Sequence, residues 1–206
     1  MKEYTKLWIP HPIILTGETV TLLPLELHHL EELYIAGADK VLWKLVPTDC
    51  SIKETFISNY TTAIEARDKG IQYPFVIIDN ETNKIIGSTR LFEIYHADKK
   101  LEIGWSWITQ PYWGTIVNLE SKLLLLTYCF ETLQTNRVQL KTKDDNIRSR
   151  KAIEKIGGVF EGILRKDKIQ EDGTTRNAAY YSILDDEWKC AKEKIQALIQ
   201  NKKATK

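Results

Sequence analysis

The chain has 206 residues, 43% of them hydrophobic, enough to bury one sizeable core and short enough to favour one domain over two. Its 29 Lys+Arg against 28 Asp+Glu leave a formal charge of +1, which excludes the basic footprint of a general nucleic-acid binder; Cys50, Cys129 and Cys190, odd in number and far apart, exclude a disulfide framework and paired metal-ligand motifs. The start, MKEYTKLWIPHPIILTGE, has no apolar run long enough for a signal peptide or membrane span because Pro10 and Pro12 interrupt it, so a soluble, unprocessed cytoplasmic protein with reduced thiols is expected.

Residues 17–25, GETVTLLPL, alternate like a strand, and residues 26–38 carry Leu27, Leu30, Leu33 and Tyr34 at helical spacing. After the loop VLWKLVPTDC, Ser51 followed by Glu54 forms a capping-box pattern for a second helix that runs to Gly70. YPFVIID and KIIGSTRLFEI, separated by NETN, read as a hairpin. KLEIGWSW alternates strictly, which sends Leu101, Ile103, Trp105 and Trp107 to one face and Glu102, Gly104 and Ser106 to the other. From Asn118 onward, Leu119, Leu123, Leu126, Phe130 and Leu133 form the stripe of a helix packed on a sheet, with Cys129 as packing within it.

RVQLKT alternates as a further strand. Asn146 caps a helix, IRSRKAIEKI, that Gly157 and Gly158 terminate. VFEGILRKDKI and TTRNAAYYSIL follow as strands joined through EDG. Asp185 or Asp186 caps a last helix over about 185–201, and the Lys-rich tail is expected to fray. The order β α α β β β α β α β β α predicts an α/β (α+β) fold, a mixed, mostly antiparallel sheet with helices on both faces. No internal repeat or linker divides residues 1–206. Four scattered histidines show no ligand spacing, so no metal is expected. The charges of KTKDDNIRSRK are mixed and argue against a nucleic-acid partner.

The succession of EIGWSW, a loop and helix, a strand, NIRSRKAIEKIGG, FEGILR and a late YYSIL, over roughly residues 17–184, resembles the GNAT family of acetyl-CoA-dependent N-acetyltransferases. It looks most like the branch that includes the ribosomal-protein acetyltransferases. The resemblance implies direct transfer of acetyl from acetyl-CoA to a primary amine, of a protein N-terminus or a small molecule, with no membrane partner and with homodimers frequent in the family. It assigns the loop after the fourth strand, Trp113, Gly114, Thr115, Ile116, Val117 and Asn118, to the pyrophosphate of coenzyme A. A helix start suits that role, because its unpaired N–H groups and dipole favour an anion. The family's Gln or Arg, Gly, and Gly or Ala are here Trp113, Ile116 and Asn118; a β-carbon at Ile116 narrows the approach to the backbone, while Asn118 is available to cap the helix.

The same resemblance places Asn146 beside the pantetheine arm and makes Ser149 the general acid to the departing thiolate; the tyrosine many members use falls at Ile153. The plainer alternative is that Asn146 and Ser149 serve the helix start alone. Glu102 is the candidate general base, against the alternative of a carboxylate on a half-exposed sheet face. Backbone groups around Ser106, Trp107 and Ile108 are expected against the pantetheine and the thioester carbonyl. Trp43 stands either on the acceptor pocket wall, in the loop to Pro47, or in the core. Of Tyr180 and Tyr181, one faces the core and the other the cleft. The competing account is a non-catalytic relative that binds coenzyme A on the same fold.

Overall fold

The computed structural model describes residues 7–46, 48–170 and 172–204. Pro47 in the loop after Trp43, Glu171 of the EDG turn, and the two final residues of the tail lie outside them. The chain opens with a short strand β1 (Leu15–Thr16) and β2 (Val20–Pro24), then α1 (Leu30–Gly37) and α2 (Lys53–Asp68). Strands β3 (Tyr73–Asp79), β4 (Ile85–Tyr95) and β5 (Lys100–Ile108) lead to α3 (Val117–Thr127). β6 (Arg137–Lys143), α4 (Ile147–Lys155), β7 (Val159–Ile169), β8 (Thr175–Leu184) and α5 (Trp188–Ala204) complete it. One sheet of eight strands, in the order β1-β2-β3-β4-β5-β6-β8-β7, is antiparallel at every junction except β5 with β6.

Two apolar layers sandwich this sheet. Leu30 and Leu33 of α1 and Phe56, Tyr60 and Ile64 of α2 pack with Val76 and Trp107 on one face. Leu119, Leu125 and Leu126 of α3, Ile153 of α4 and Ile195 and Ile199 of α5 pack with Leu22, Phe75, Leu101 and Ile103 on the other. Of the expected stripe, Leu119, Leu126, Phe130 and Leu133 are core while Leu123 is only partly buried, and Leu125 is fully buried in addition, each fully buried side chain contributing roughly 1.5–3 kcal/mol. Past Thr127 the helix widens into a π turn over Tyr128–Thr132.

Several local details differ from expectation. Ser51 does not cap α2: its hydroxyl and its N–H both bond Asp49 Oδ1, at 2.6 and 2.9 Å, and Ile52 occupies the cap position without a side-chain bond. Short polar side chains compete for nearby backbone in this way. Asn118 does not cap α3 either, because the helix starts one residue earlier, at Val117, with Ile116 as the capping residue. The last helix begins at Trp188, and the carboxylate that turns back at its start is Glu187, accepting from Leu184 N–H at 2.9 Å, rather than Asp185 or Asp186. The Lys-rich end remains helical to Ala204.

The largest correction concerns β5. Ser88 faces Trp107 but Arg90 faces Gly104, so β5 holds one residue more than β4 across that interval. Trp105 absorbs the bulge at φ 51°, a left-handed conformation uncommon for a large side chain. The alternation inverts there: Leu101 and Ile103 lie in the α3 layer, whereas Trp107 lies in the α1/α2 layer. Gly87 permits the close strand approach, since a β-carbon on it would stand 2.3 Å from the Trp107 carbonyl oxygen.

Glu120 fastens β2 to α3. Its buried carboxylate accepts from the N–H groups of Glu18, Thr19 and Val20 at 2.9, 2.8 and 2.9 Å. Glu120→Ala would orphan three backbone donors in one place, and a loss of about 2–4 kcal/mol is expected in urea unfolding. A change below about 0.5 kcal/mol would mean that water replaces the carboxylate without penalty.

Candidate active site

The only parallel junction of the sheet is short. β5 and β6 pair at Lys100 with Arg137, Leu101 with Val138 and Glu102 with Gln139, and then part, leaving the rest of β5 with an edge that no strand covers. At the vertex of this opening stands Glu102, 1% exposed. Its carboxylate accepts from Gln139 Nε2 at 2.7 Å and pairs with Lys141 Nζ at 3.1 Å. Burial lifts its pKa above the ordinary glutamate value, and Lys141 and Gln139 oppose that rise only in part. Burial also works against the charge on Lys141, but Glu102 and Glu93 outweigh it and hold the ammonium protonated. Glu102 is thus neither half-exposed nor free. It is a desolvated carboxylate held in one orientation, and a proton must reach it through the opening.

The bulge divides the other predicted residues of β5. Ser106 is exposed on the face opposite Glu102, its hydroxyl 2.7 Å from Thr89 Oγ1 and accepting from Lys122 Nζ at 2.7 Å. Trp107 turns inward, donates to Tyr60 Oη at 2.6 Å, and offers the opening only its backbone. The carbonyl oxygen of Ile108 is already held by the Trp113 indole N–H at 2.7 Å.

Beyond the strand, Gly114 takes φ 74° with open space where a β-carbon would stand. Thr115 Oγ1 donates to the Tyr112 carbonyl at 2.7 Å and accepts from Val117 N–H at 3.3 Å. Ile116 buries its side chain, as does Val117, so the side chain that replaces the family glycine points into the core. Asn118 lies in the first turn of α3, half-buried. Across the opening, Asn146 caps α4 by accepting from Ser149 N–H at 3.1 Å. The Ser149 hydroxyl makes no hydrogen bond among the described residues. Ile153 is buried in the α3 layer.

Trp43 is placed in the core. It is 5% exposed, donates to the Gly37 carbonyl at 2.7 Å, and packs edge-on to Trp107 and Phe56, away from any cleft wall. Tyr181 is the core tyrosine, bonded to Arg150 and Glu154. Tyr180 is the cleft tyrosine: its ring lies 5.5 Å from Lys141 Nζ and its hydroxyl donates to Asp167 at 2.8 Å.

Three cations escaped sequence reasoning, and a fourth, Lys122, has a setting the sequence did not disclose. Lys141 shares the alternating face of RVQLKT with Gln139, a signal that becomes useful only once β6 is known to lie beside β5. Arg148, in the first turn of α4, lies 4.1 Å from the Trp113 ring, and Lys202 of α5 donates to the Gly114 carbonyl; both flank the loop assigned to pyrophosphate. Lys122 is 7% exposed, with no carboxylate paired to it among the described residues, and burial pushes its pKa down to about 8. The open β5 edge, the uncapped start of α3, the empty space at Gly114 and these cations suit a long anionic cofactor. Among the described residues no group of His, Cys, Asp or Glu is arranged to hold a metal, and no helix is long and apolar enough to cross a membrane.

A splayed sheet with an activated carboxylate at its vertex defines a class, and sequence comparison specifies it. A family model described as an acetyltransferase (GNAT) domain matches residues 19–159, and the chain belongs to that family. It is 34% identical over 104 residues to YdaF of Bacillus subtilis (strain 168), provisionally named a ribosomal N-acetyltransferase; the match spans 50% of this chain and only 56% of YdaF. YjcK of the same organism, named a probable N-acetyltransferase, is 25% identical over 181 residues, 84% of this chain and 99% of YjcK. A solved GCN5-related N-acetyltransferase from Brucella melitensis superposes with a TM-score of 0.85 at 27% identity, covering 92% of this chain and 86% of that one. The protein is therefore an acetyltransferase.

Because Lys122 binds its proton more weakly folded than unfolded, it weakens the fold below about pH 8, and stability should rise as pH climbs from about 8 toward 10.5. Lys122→Met should raise stability at pH 7 by about 2–3 kcal/mol, with the gain vanishing near pH 10.5. Thermal unfolding of both proteins across that range checks it; an equal difference at pH 7 and pH 10.5 would assign the effect to packing.

Proposed function

We propose that the whole chain acts as one N-acetyltransferase unit that transfers acetyl directly from acetyl-CoA to a primary amine, of a protein N-terminus or a small molecule. The observation that carries this reading is the parting of β5 and β6 immediately beyond the buried, pKa-raised Glu102. Acetyl-CoA supplies the acetyl group as an activated thioester. Gly114 to Asn118 at the start of α3, with Arg148 and Lys202 beside them, would hold the pyrophosphate, and the open edge of β5 at Ser106 and Ile108, with Asn146, would hold the pantetheine.

At neutral pH the acceptor enters as an ammonium and must lose a proton. Glu102 takes it through a water, since the carboxylate is buried and Lys141 and Gln139 both hold its Oε2, and its raised pKa brings it nearer the working pH of a base. The freed nitrogen bonds to the acetyl carbon; as the carbon–sulfur bond breaks, the nitrogen gives its second proton to water, the Ser149 hydroxyl protonates the departing sulfur, and water returns the proton to Ser149. No enzyme nucleophile is needed: Cys129 is buried, with its thiol held undissociated by burial. The provisional name of YdaF, a ribosomal N-acetyltransferase, supports a protein amine among the acceptors.

Glu102→Gln is expected to lower kcat by about 10²–10³-fold with acetyl-CoA affinity preserved in calorimetry. In the unmodified enzyme the acidic limb of kcat/KM should lie above the ordinary glutamate pKa, because the base must be ionised. Failure to release free CoA with any of a broad panel of amines would sink the reading. Turnover left intact by Glu102→Gln would remove Glu102 as the base.

A further inference from the structure

We infer that the acceptor is a small amine that also carries a carboxylate, and that Arg90 receives that carboxylate; this rests on the acetyltransferase reading above. On the face of the sheet that bears Glu102, a cleft of about 880 Å³ lies between α2, the floor of β4 and β5, and the far end of β7. The side of α2 turned toward it presents Thr55, Ser58, Asn59 and Thr62, hydroxyls and an amide where a packed helix would show apolar groups. Arg90 sits in the floor and is 3% exposed.

The surroundings of Arg90 leave it short of charge. Tyr60 and Trp105 cover the guanidinium, their ring centres 4.7 and 4.5 Å away. In its plane, Nη2 donates to Asn59 Oδ1 at 2.5 Å, Nη1 to Gln72 Oε1 at a long 3.4 Å, and Nε has no partner. Both acceptors are neutral, and no carboxylate pairs with Arg90 among the described residues. The other buried arginine, Arg67, is treated differently: Glu26 pairs with it at 2.8 Å. An unpaired buried cation is costly, and Arg90 and Lys122 are the two buried cations that carry this burden among the described residues. Lys122 points to the cofactor side of β5; Arg90 points to the opposite side, where the acceptor must enter.

The chemistry selects a carboxylate. A guanidinium fork matches its two oxygens, and one buried positive charge balances one negative charge. Lys168 adds a second cation at the rim, and the lining acid, Glu93, is already engaged with Lys141 at 3.3 Å. Polyamines and aminoglycosides would bring several positive charges against Arg90. The spacing also fits: Arg90 pairs with Gly104 and Phe92 with Glu102, so Arg90 lies two residues along the same face from Glu102, about 7 Å. One small molecule can place its amine toward Glu102 and its carboxylate toward Arg90.

The test compares amino acids with their carboxamides as acceptors for the full chain and acetyl-CoA. Carboxylates should be preferred in kcat/KM by about tenfold or more. Arg90→Gln should bring that ratio to about one with the KM for acetyl-CoA unchanged, and Arg90→Lys should restore part of it. If Arg90→Gln fails to fold, Asn59→Asp serves instead: an internal counter-ion should raise the melting temperature and abolish the preference. Calorimetry with N-acetylated amino acids and their carboxamides reads the same site without turnover. Tighter binding of the carboxylates in a protein that never releases CoA would uphold the Arg90 site and overturn the acetyl-transfer reading. Equal binding, a preference for carboxamides or uncharged amino-terminal peptides, tighter binding of inorganic phosphate, or a carboxylate preference that survives Arg90→Gln or Asn59→Asp would each overturn the Arg90 assignment.

Discussion

β5 and β6 run side by side for three residue pairs and then separate, and the molecule is arranged around that separation. A strand that loses its neighbour exposes a row of N–H and C=O groups that must find partners elsewhere. Here those groups line an opening flanked by the starts of two helices. The separation has a cause in the sequence of each strand. Beyond Glu102, β5 carries the extra residue at Trp105 and a sharper twist, while β6 continues regularly with β8 from Arg137 to Lys143. One strand bends and the other does not.

The bulge has a second effect, on which side chain faces which substrate. Had β5 kept strict alternation, Glu102 and Ser106 would share a face with each other and with the acceptor cleft. One additional residue sends Ser106 to Lys122, on the face opposite Glu102, and turns Trp107 into the α1/α2 core. The left-handed backbone at Trp105 is a strained arrangement of the kind that persists where surrounding contacts over-determine it; the stack of Trp105 against Arg90 is one such contact. The same residue that divides the two sides of the sheet thus also covers the buried guanidinium.

Electrostatics separates the two halves of the site further. Lys122 bonds Ser106, and Arg148 and Lys202 flank Trp113 and Gly114 ahead of α3. On the other face of β5, Arg90 is matched only by neutral amides among the described residues, while Glu102 pairs with Lys141. Buried charges of this kind cost stability, and the fold offsets them with features that have no part in chemistry: the carboxylate of Glu120 on three backbone donors, the ion pair of Arg67 with Glu26, and two continuous apolar layers.

By itself the sequence determined the order of elements apart from the short β1, most of the buried face of α3, the Asn146 cap and the glycine stop of α4, because these follow from spacing and backbone chemistry within about a dozen residues. Glu102, Ser149 and the Gly114 loop were legible as candidates through the succession of motifs. Tertiary structure alone decided the rest. Gln139 and Lys141 meet Glu102 only because β6 pairs beside β5 across an intervening helix. Trp43 belongs to the core because Trp107 reverses direction at a bulge that no local pattern in KLEIGWSW announces. Ser51 loses the helix cap to a competing bond from Asp49, and Arg90, indistinguishable in a strand sequence from a solvated arginine, is buried without a counter-ion because α2 brings an amide rather than an acid against it. Period and propensity act along the chain, whereas register, bulges and charge pairing are settled between segments that sequence spacing does not connect.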